Sequence, residues 1–379
     1  MSGRKIRVLH AVQSLNYGGM ERLIADLIRL SNRDRFELHL LALQYLGRFS
    51  EGLERIATLH VAPPMDRWSL LRPTQLTHLI RQIAPDVVHT HSGVWLKAGR
   101  AARLAGVPLT IHTEHGRRSP DPWSDRLIDR VAARNSDRVV AVSDLLAFQL
   151  ISRLGLPKTK VTVVINGVDT ELHRPGHGEP SLRRELGVAS EIPILGSVGR
   201  LESIKGYDIA LRALAMLPDP RPVLVIGGDG SERSRLHDMA VELGIRDRVH
   251  LLGWRDDIPS IHAASTLFTM SSRSEGTSVS LLEAMSAGLA PVVTDVGGNA
   301  AVLGTELKHR LVPAEDPAAL AEAWRVALAQ PEWLAQDAKA ARLRVQNHFS
   351  LERMVRSYES LYECGSPPSV QGHSAGAAA

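Results

Sequence analysis

Short runs of apolar, β-branched residues alternate along the chain with longer stretches in which apolar positions return every three to four residues. Residues 6–12 (IRVLHAV) predict a buried strand, and residues 18–31 (GGMERLIADLIRLS) a helix whose Leu23, Ile24, Leu27, Ile28 and Leu30 share one stripe. Strand-like runs recur at 36–43, 59–62, 86–91, 109–115, 138–143 and 161–167, with helical segments between most of them. The pattern then restarts at 193–200, 221–230, 248–254, 265–272, 290–298 and 309–313. This alternation predicts an α/β chain built from two doubly wound parallel sheets. We divide it into a first domain (1–175), a linker (176–191), a second domain (192–348), a closing helix that returns to the first domain (349–364) and a disordered tail (365–379). The linker assignment rests on the stretch 173–186 (HRPGHGEPSLRREL), rich in Pro, Gly and charge. The tail (GSPPSVQGHSAGAAA) is of low complexity.

Length and composition agree with two cores, since 379 residues at 44% apolar content are long for a single one. The single cysteine, Cys364, rules out a disulfide framework, and the opening residues turn polar too early for a secretory core. No apolar run approaches the length of a membrane span, so the expected location is cytosolic. The formal charge of +4 hides an asymmetry: residues 1–175 hold 25 Lys and Arg against 16 Asp and Glu, while the remainder holds 20 against 25. A basic first half fits an anionic surface or acceptor met by that half alone. Two Arg-bearing amphipathic stretches, 67–83 and 123–134, would rest on an anionic leaflet or act as ordinary surface helices with their apolar sides in the core.

Facing doubly wound sheets turn the carboxyl ends of their strands toward one another, and ligands of such sheets bind at those ends. The glycine loop at 227–236 (GGDGSERSRL) follows a predicted strand, but Arg233 stands where a dinucleotide fingerprint needs its third glycine. No glycine cluster ends in the Lys-Ser/Thr of a P-loop. What remains at Gly228 and Gly230 is an amide-lined helix start suited to an anion, or a plain turn. Arg200 and Lys205, at the next strand end upstream, add two cations suited to a diphosphate. Glu275 falls in a loop after a strand and Glu283 about two turns away, inside the helix that follows; ionised carboxylates there would accept from sugar or ribose hydroxyls.

These residues match a family. Glu275-x7-Glu283 followed by AMSAGLAPVVTDVGGN, together with VGRLESIKG, VINGVD, IGGDG, HTEHG and the early NYGGMERL, resembles the retaining glycosyltransferases of the glycogen-synthase-like group 1 class, which have the two-Rossmann GT-B fold. The resemblance runs from about Val8 to Tyr362. It implies that Arg200 and Lys205 bind the diphosphate of a nucleotide-sugar donor and that Glu275 holds hydroxyls of the transferred sugar. The amides of Gly276, Thr277 and Ser278 would approach sugar and phosphate, and Glu283 would bind the ribose. Gly18 and Gly19 would close over the phosphates, the loop with Gly253 and Trp254 would meet the nucleobase, and His112 would lie against the donor sugar. His89, His91 and His115 have weaker counterparts and are assigned to the core or its margin. Ala290-Pro291 and Ala301 depart from the common pattern and bear on donor identity.

The reaction implied is front-face transfer with retention at the anomeric carbon, from a UDP-sugar or a GDP-sugar to a hydroxyl of a glycan or lipid-linked acceptor, in cell-surface polysaccharide synthesis. Catalysis would consist of positioning and of stabilising charge on the leaving phosphate. No metal or other cofactor is expected, and the chain contains no Asp-x-Asp. No nucleic-acid partner is implied. Two alternatives are a nucleotide-sugar epimerase, which would turn over donor without acceptor, and a non-catalytic nucleotide-sugar-binding protein, which would not need Arg200, Lys205, His112 and the paired glutamates together.

Overall fold

The computed structural model describes residues 4–16, 18–64, 72–116, 123–178 and 181–364. The first sheet contains β1 (Ile6–Ser14), β2 (Phe36–Tyr45), β3 (Thr58–Val61), β4 (Val87–His91), β5 (Leu109–Glu114), β6 (Arg138–Ala141) and β7 (Val161–Val163). All are parallel, in the order β3-β2-β1-β4-β5-β6-β7. Helices α1 (Gly19–Leu30), α2 (Thr74–Ile83), α3 (Trp95–Ala105), α4 (Trp123–Ala133) and α5 (Asp144–Leu154) make the crossovers. The near-continuous apolar strands follow from burial on both faces. Along β1, Val8 and Val12 pack beneath α1 while Leu9 and Ala11 join the opposite core, the period of two that a strand imposes.

The second sheet repeats the plan with β8 (Ile194–Val198), β9 (Val223–Gly227), β10 (Val249–Leu251), β11 (Leu267–Met270), β12 (Pro291–Thr294) and β13 (Leu311–Val312). Their order is β10-β9-β8-β11-β12-β13, again parallel. Around it lie α6 (Leu182–Glu185), α7 (Tyr207–Ala215), α8 (Arg233–Glu242), α9 (Ile258–Ala264), α10 (Val279–Ser286), α11 (Asn299–Leu303), α12 (Pro317–Ala329) and α13 (Pro331–His348). The strand order reverses between β1 and β4 in one sheet and between β8 and β11 in the other. At such switch points the loops diverge and leave a crevice, so the loops after β1, β4, β8 and β11 carry the site.

Some expectations change in the structure. Leu30 is exposed although its periodicity places it on the α1 stripe, because the helix ends there with Ser31 closing onto the Leu27 carbonyl. The stretch at 67–83 becomes a helix only from Thr74, after Pro73, and residues 67–71 lie outside those described. Within the segment taken as linker, Leu182 is fully buried against Ile194, Val223 and Ile261, so α6 packs as part of the second domain. The residues assigned to the disordered tail lie outside those described.

Two crossings tie the domains together. The chain leaves the first domain through residues 164–169 and returns through 349–351 into α14 (Leu351–Cys364). There the crossings pair: the Val168 N–H donates to the Phe349 carbonyl at 2.9 Å and the Leu351 N–H to the Val168 carbonyl at 3.0 Å. Helix α14 then lies on the first domain, with Tyr358, Leu361 and Tyr362 in the core beneath α1. Gly167 makes the pairing possible, because a Cβ there would sit 2.6 Å from the Ser350 carbonyl oxygen. Replacing Gly167 by Ala should force the crossings apart and destabilise the protein by about 1–3 kcal/mol, the usual range for overpacking. Urea unfolding followed by circular dichroism measures this, and a variant as stable as the parent would show that the crossings tolerate separation.

Candidate active site in the interdomain cleft

The donor side of the cleft is assembled from backbone outward. Gly228 and Gly230 lie against the Gly199–Leu201 segment: a Cβ at Gly228 would collide with the Gly199 carbonyl and one at Gly230 with that of Leu201. Their amides are already engaged, Gly228 to the Gly253 carbonyl at 2.8 Å and Gly230 to the Asp229 carboxylate at 2.9 Å. These glycines therefore set the position of the Arg200 backbone by close approach, and in this conformation neither amide is open to an anion. The Arg200 side chain is largely exposed and lies near α1, where its charge opposes the burial that raises the Glu21 carboxyl. Gly206 adopts the left-handed conformation at a φ of 63°, and a Cβ there would collide with the Ser271 carbonyl. This contact presses the Lys205 turn against the loop after β11, and the Ser271 hydroxyl donates to the Gly206 carbonyl at 2.7 Å.

The two loops meet in an ion pair. Lys205 Nζ lies 2.6 Å from Glu275 Oε1, and the Ser272 hydroxyl donates to the same oxygen at 2.6 Å. Both side chains are mostly buried. Arg273 braces the pair from behind: its backbone N–H donates to the Ile204 carbonyl at 2.8 Å, and its guanidinium grips Asp208 with two bonds of 2.9 Å. Sequence reading missed Arg273; the only available signal was a lone arginine between two strand-end serines.

Beyond Glu275 the loop becomes an interdomain clasp. A Cβ at Gly276 would lie 2.5 Å from the His115 carbonyl oxygen, so only glycine lets this backbone approach the first domain. The Thr277 hydroxyl donates to the Val142 carbonyl, and the Asn166 side-chain amide to the Thr277 carbonyl at 3.0 Å. Ser278 then caps α10 by accepting the Leu281 N–H. Across the cleft, Gly18 (φ 145°) precedes α1, and a Cβ on Gly19 would stand 3.3 Å from Val279 Cβ. The amino termini of α1 and α10 thus converge from opposite domains, adding two partial positive charges to Arg200 and Lys205. At the far edge, Trp254 packs edge-on against Phe49, and Arg48 pairs with Asp256. The Gly253–Trp254 loop is thereby held by the first domain.

Glu283 sits deeper than its spacing suggested. It is buried on α10, with Oε1 3.4 Å from His173 Nε2. Burial raises its carboxyl, with Arg22 and His262 pulling the other way. Burial also lowers His173 and His262 to about 3, so both are neutral. Arg22, His173 and His262 went unrecognised in the sequence because they come from three distant segments. His112, expected against the donor sugar, is fully buried, stacked on Trp95 at 3.9 Å with Nδ1 2.9 Å from the Thr90 hydroxyl. It points to the α3 side of β5, and the half-buried histidine beside Gly276 is His115, on the other side.

With this geometry in place, comparison with known proteins identifies the class. Residues 179–344 match the family model described as glycosyl transferases group 1, and residues 17–172 match glycosyltransferase family 4. The chain is 28% identical over 376 residues to the UDP-Gal:alpha-D-GlcNAc-diphosphoundecaprenol alpha-1,3-galactosyltransferase of Escherichia coli, covering 94% of this chain and 97% of that one. It is 32% identical over 306 residues to a D-inositol 3-phosphate glycosyltransferase of Saccharomonospora viridis, covering 73% and 69%. The crystal structure of Anabaena Alr3699/HepE in complex with UDP-glucose superposes with a TM-score of 0.83 at 25% identity, over 94% of this chain and 100% of that one. The chain belongs to the glycosyl transferases group 1 family. It is a nucleotide-sugar-using glycosyltransferase of the GT-B fold.

The Arg273–Asp208 brace has a signature in acid. Arg273 holds the mostly buried Asp208 carboxyl below its ordinary 3.8, against the burial that would raise it. A carboxyl depressed in the folded state stabilises the fold above its unfolded value, and that contribution is lost as pH falls through the folded value. Replacing Arg273 by Met strands a buried carboxylate and should cost about 2 kcal/mol at neutral pH, discounted for the partial exposure of the arginine. The difference from the parent should shrink as pH drops below 3.8, because Asp208 is then protonated in the unfolded chain and in the variant. Urea midpoints across that range measure it; a deficit independent of pH would assign Arg273 a packing role alone.

Proposed function

We propose that the protein transfers a hexose from a UDP-hexose to a hydroxyl of a lipid-linked glycan, with retention at the anomeric carbon and without a divalent metal, in cell-surface polysaccharide synthesis. The observation that carries this reading is the convergence of two helix amino termini, α1 and α10, on one point of the cleft beside Arg200 and Lys205. That arrangement suits a diphosphate, and it can stabilise the charge that develops on the departing nucleotide. The preference for uridine rests on the names of the E. coli relative and the Anabaena complex.

In this reading the donor dismantles the Lys205–Glu275 pair. The diphosphate takes Lys205, and Glu275 turns its freed oxygen to the hydroxyls of the sugar. Glu283 accepts the ribose hydroxyls, and the Gly253–Trp254 loop meets the base. The acceptor hydroxyl attacks from the face the diphosphate leaves, and a phosphate oxygen takes its proton. With Lys205 and the helix ends neutralising the phosphates, the residues present supply the charge such a departure needs.

Support for a lipid-linked acceptor comes from α4 and α5. On α4 apolar side chains are turned outward: Trp123 is 75% exposed, and Leu127 and Ile128 are exposed beside it, while Ala132 and Ala133 join the core. The first turn of α5 exposes Leu145 and Phe148. Both helices begin at strand carboxyl ends, so this apolar face stands at the cleft end of the first domain. Such a face, on the more basic half of the chain, suits a polyprenyl carrier at an anionic cytoplasmic membrane surface, to which the protein would bind peripherally. Among the described residues no helix is long and apolar enough to cross a membrane.

The test is transfer from UDP-glucose and UDP-galactose to diphosphoundecaprenol-linked GlcNAc with EDTA present, the product anomer being read by NMR. An α product supports the proposal; a β product overturns retention, and donor consumption without acceptor would indicate an epimerase. Within that assay the two glutamates should differ in kind. Glu275→Gln should leave UDP affinity nearly intact while lowering turnover, and Glu283→Gln should weaken UDP and whole donor alike. If Glu275→Gln loses UDP as badly as Glu283→Gln, the division between sugar and ribose is wrong.

A further inference from the structure

Behind the cleft, on the α14 side of the first sheet, four histidines from three strand segments form a buried row. His10 comes from β1, His89 and His91 from β4, and His115 from the residue that follows β5. His89 is fixed on both sides: Nδ1 lies 2.8 Å from the Tyr362 hydroxyl and Nε2 2.7 Å from the Thr113 hydroxyl, which also contacts Tyr358 at 3.3 Å. The other three form a chain. His10 Nδ1 lies 3.3 Å from His91 Nε2, and His91 Nδ1 lies 3.4 Å from His115 Nε2. The nitrogens left over are His10 Nε2 at the deep end and His115 Nδ1 at the other, where the His115 carbonyl abuts Gly276; both are buried without a hydrogen-bond partner.

Burial lowers all three rings, His10 to about 3, His115 to about 4 and His91 well below its usual value, with the neighbouring histidines pushing His91 and His115 the same way and Glu114 failing to offset this at His115. Each ring therefore carries one proton. A neutral imidazole is a donor at one nitrogen and an acceptor at the other, so two linked contacts allow only two arrangements. In one, every ring is protonated at Nδ1: His10 donates to His91, His91 donates to His115, and His115 offers an N–H at the cleft end. In the other, every ring is protonated at Nε2, and the orphaned N–H lies at His10 in the apolar core. Each arrangement leaves one buried N–H and one buried acceptor without a partner; the negative charge of Glu114 beside His115 favours the first, which leaves the N–H at that end.

We propose that His91 and His10 are positioning residues that fix the proton of His115 on Nδ1, so that His115 presents a donor to the transferred sugar or the leaving phosphate once donor binding uncovers this buried nitrogen. This rests on the reading of the cleft as the donor site, since the His115 carbonyl abuts Gly276 of the loop that carries Glu275. The proposal also accounts for α14. Tyr362 and Tyr358 hold His89, whose ring centroid is 4.0 Å from that of His91, so the returning helix fixes the row from behind.

The test is long-range ¹H–¹⁵N NMR on histidine-labelled protein, which distinguishes the two neutral tautomers. His10, His91 and His115 should all carry the proton on Nδ1, the minor form of free imidazole side chains. Nε2-protonated rings in the parent would overturn the proposal whatever reaction the enzyme performs, because this readout needs no substrate. In His91→Phe, His115 should revert to the Nε2 tautomer and kcat should fall about tenfold, the equivalent of one hydrogen bond to a charged group, while UDP affinity is retained. His91→Asn, whose amide can both donate and accept, should recover part of the loss and covers the case in which the Phe variant does not fold. An unchanged His115 tautomer or an unchanged kcat in a folded variant would overturn the positioning role.

Discussion

The ion pair between Lys205 and Glu275 is the contact on which the donor side of the cleft depends. Without ligand it satisfies two charges that would otherwise be mostly buried and alone, a costly state for either. Holding the two loops at 2.6 Å requires the supports found around them: Gly206 against the Ser271 carbonyl, Ser272 on the same carboxylate oxygen, and Arg273 spanning to Asp208. The pair stands at the switch point between β8 and β11, where strand order leaves room for a ligand. A diphosphate with an attached sugar offers each partner a replacement, an anion for the lysine and hydroxyls for the carboxylate.

The first domain supplies the other wall and the means of holding it. Glycines at 19 and 276 let the chain approach where side chains would keep the domains apart, and Thr277 and Asn166 lock that approach with hydrogen bonds. The returning α14 becomes a part of the first domain's core. The interdomain crossings are thereby linked through α14 to the histidine row, and the cleft is shaped from both its surface and its back.

Much of this was legible in the sequence. Near-continuous apolar runs marked strands such as those within 36–43 and 221–230, because burial on both faces leaves few other residue choices. The glutamate spacing placed Glu275 on a loop and Glu283 on a helix, as the structure has them. What stayed hidden depends on contacts between distant segments. Periodicity shows that 123–134 is amphipathic but not which of its apolar side chains face out. A glycine-rich turn shows close approach, yet whether the amides of Gly228 and Gly230 meet a ligand or their own chain is decided by Gly253 and Asp229. His112 and His115 lie three residues apart, and only strand parity together with Trp95 shows that they serve opposite faces.

The most direct test of the central claim is calorimetry of uridine, UMP and UDP against the parent and Lys205→Met. If Arg200, Lys205 and the two helix ends form a diphosphate site, affinity should rise with each phosphate in the parent. The step from UMP to UDP should lose about 1.5–3 kcal/mol in the variant, the range for a hydrogen bond to a charged group. Equal affinity for uridine and UDP in the parent, or an undiminished step in the variant, would contradict the account.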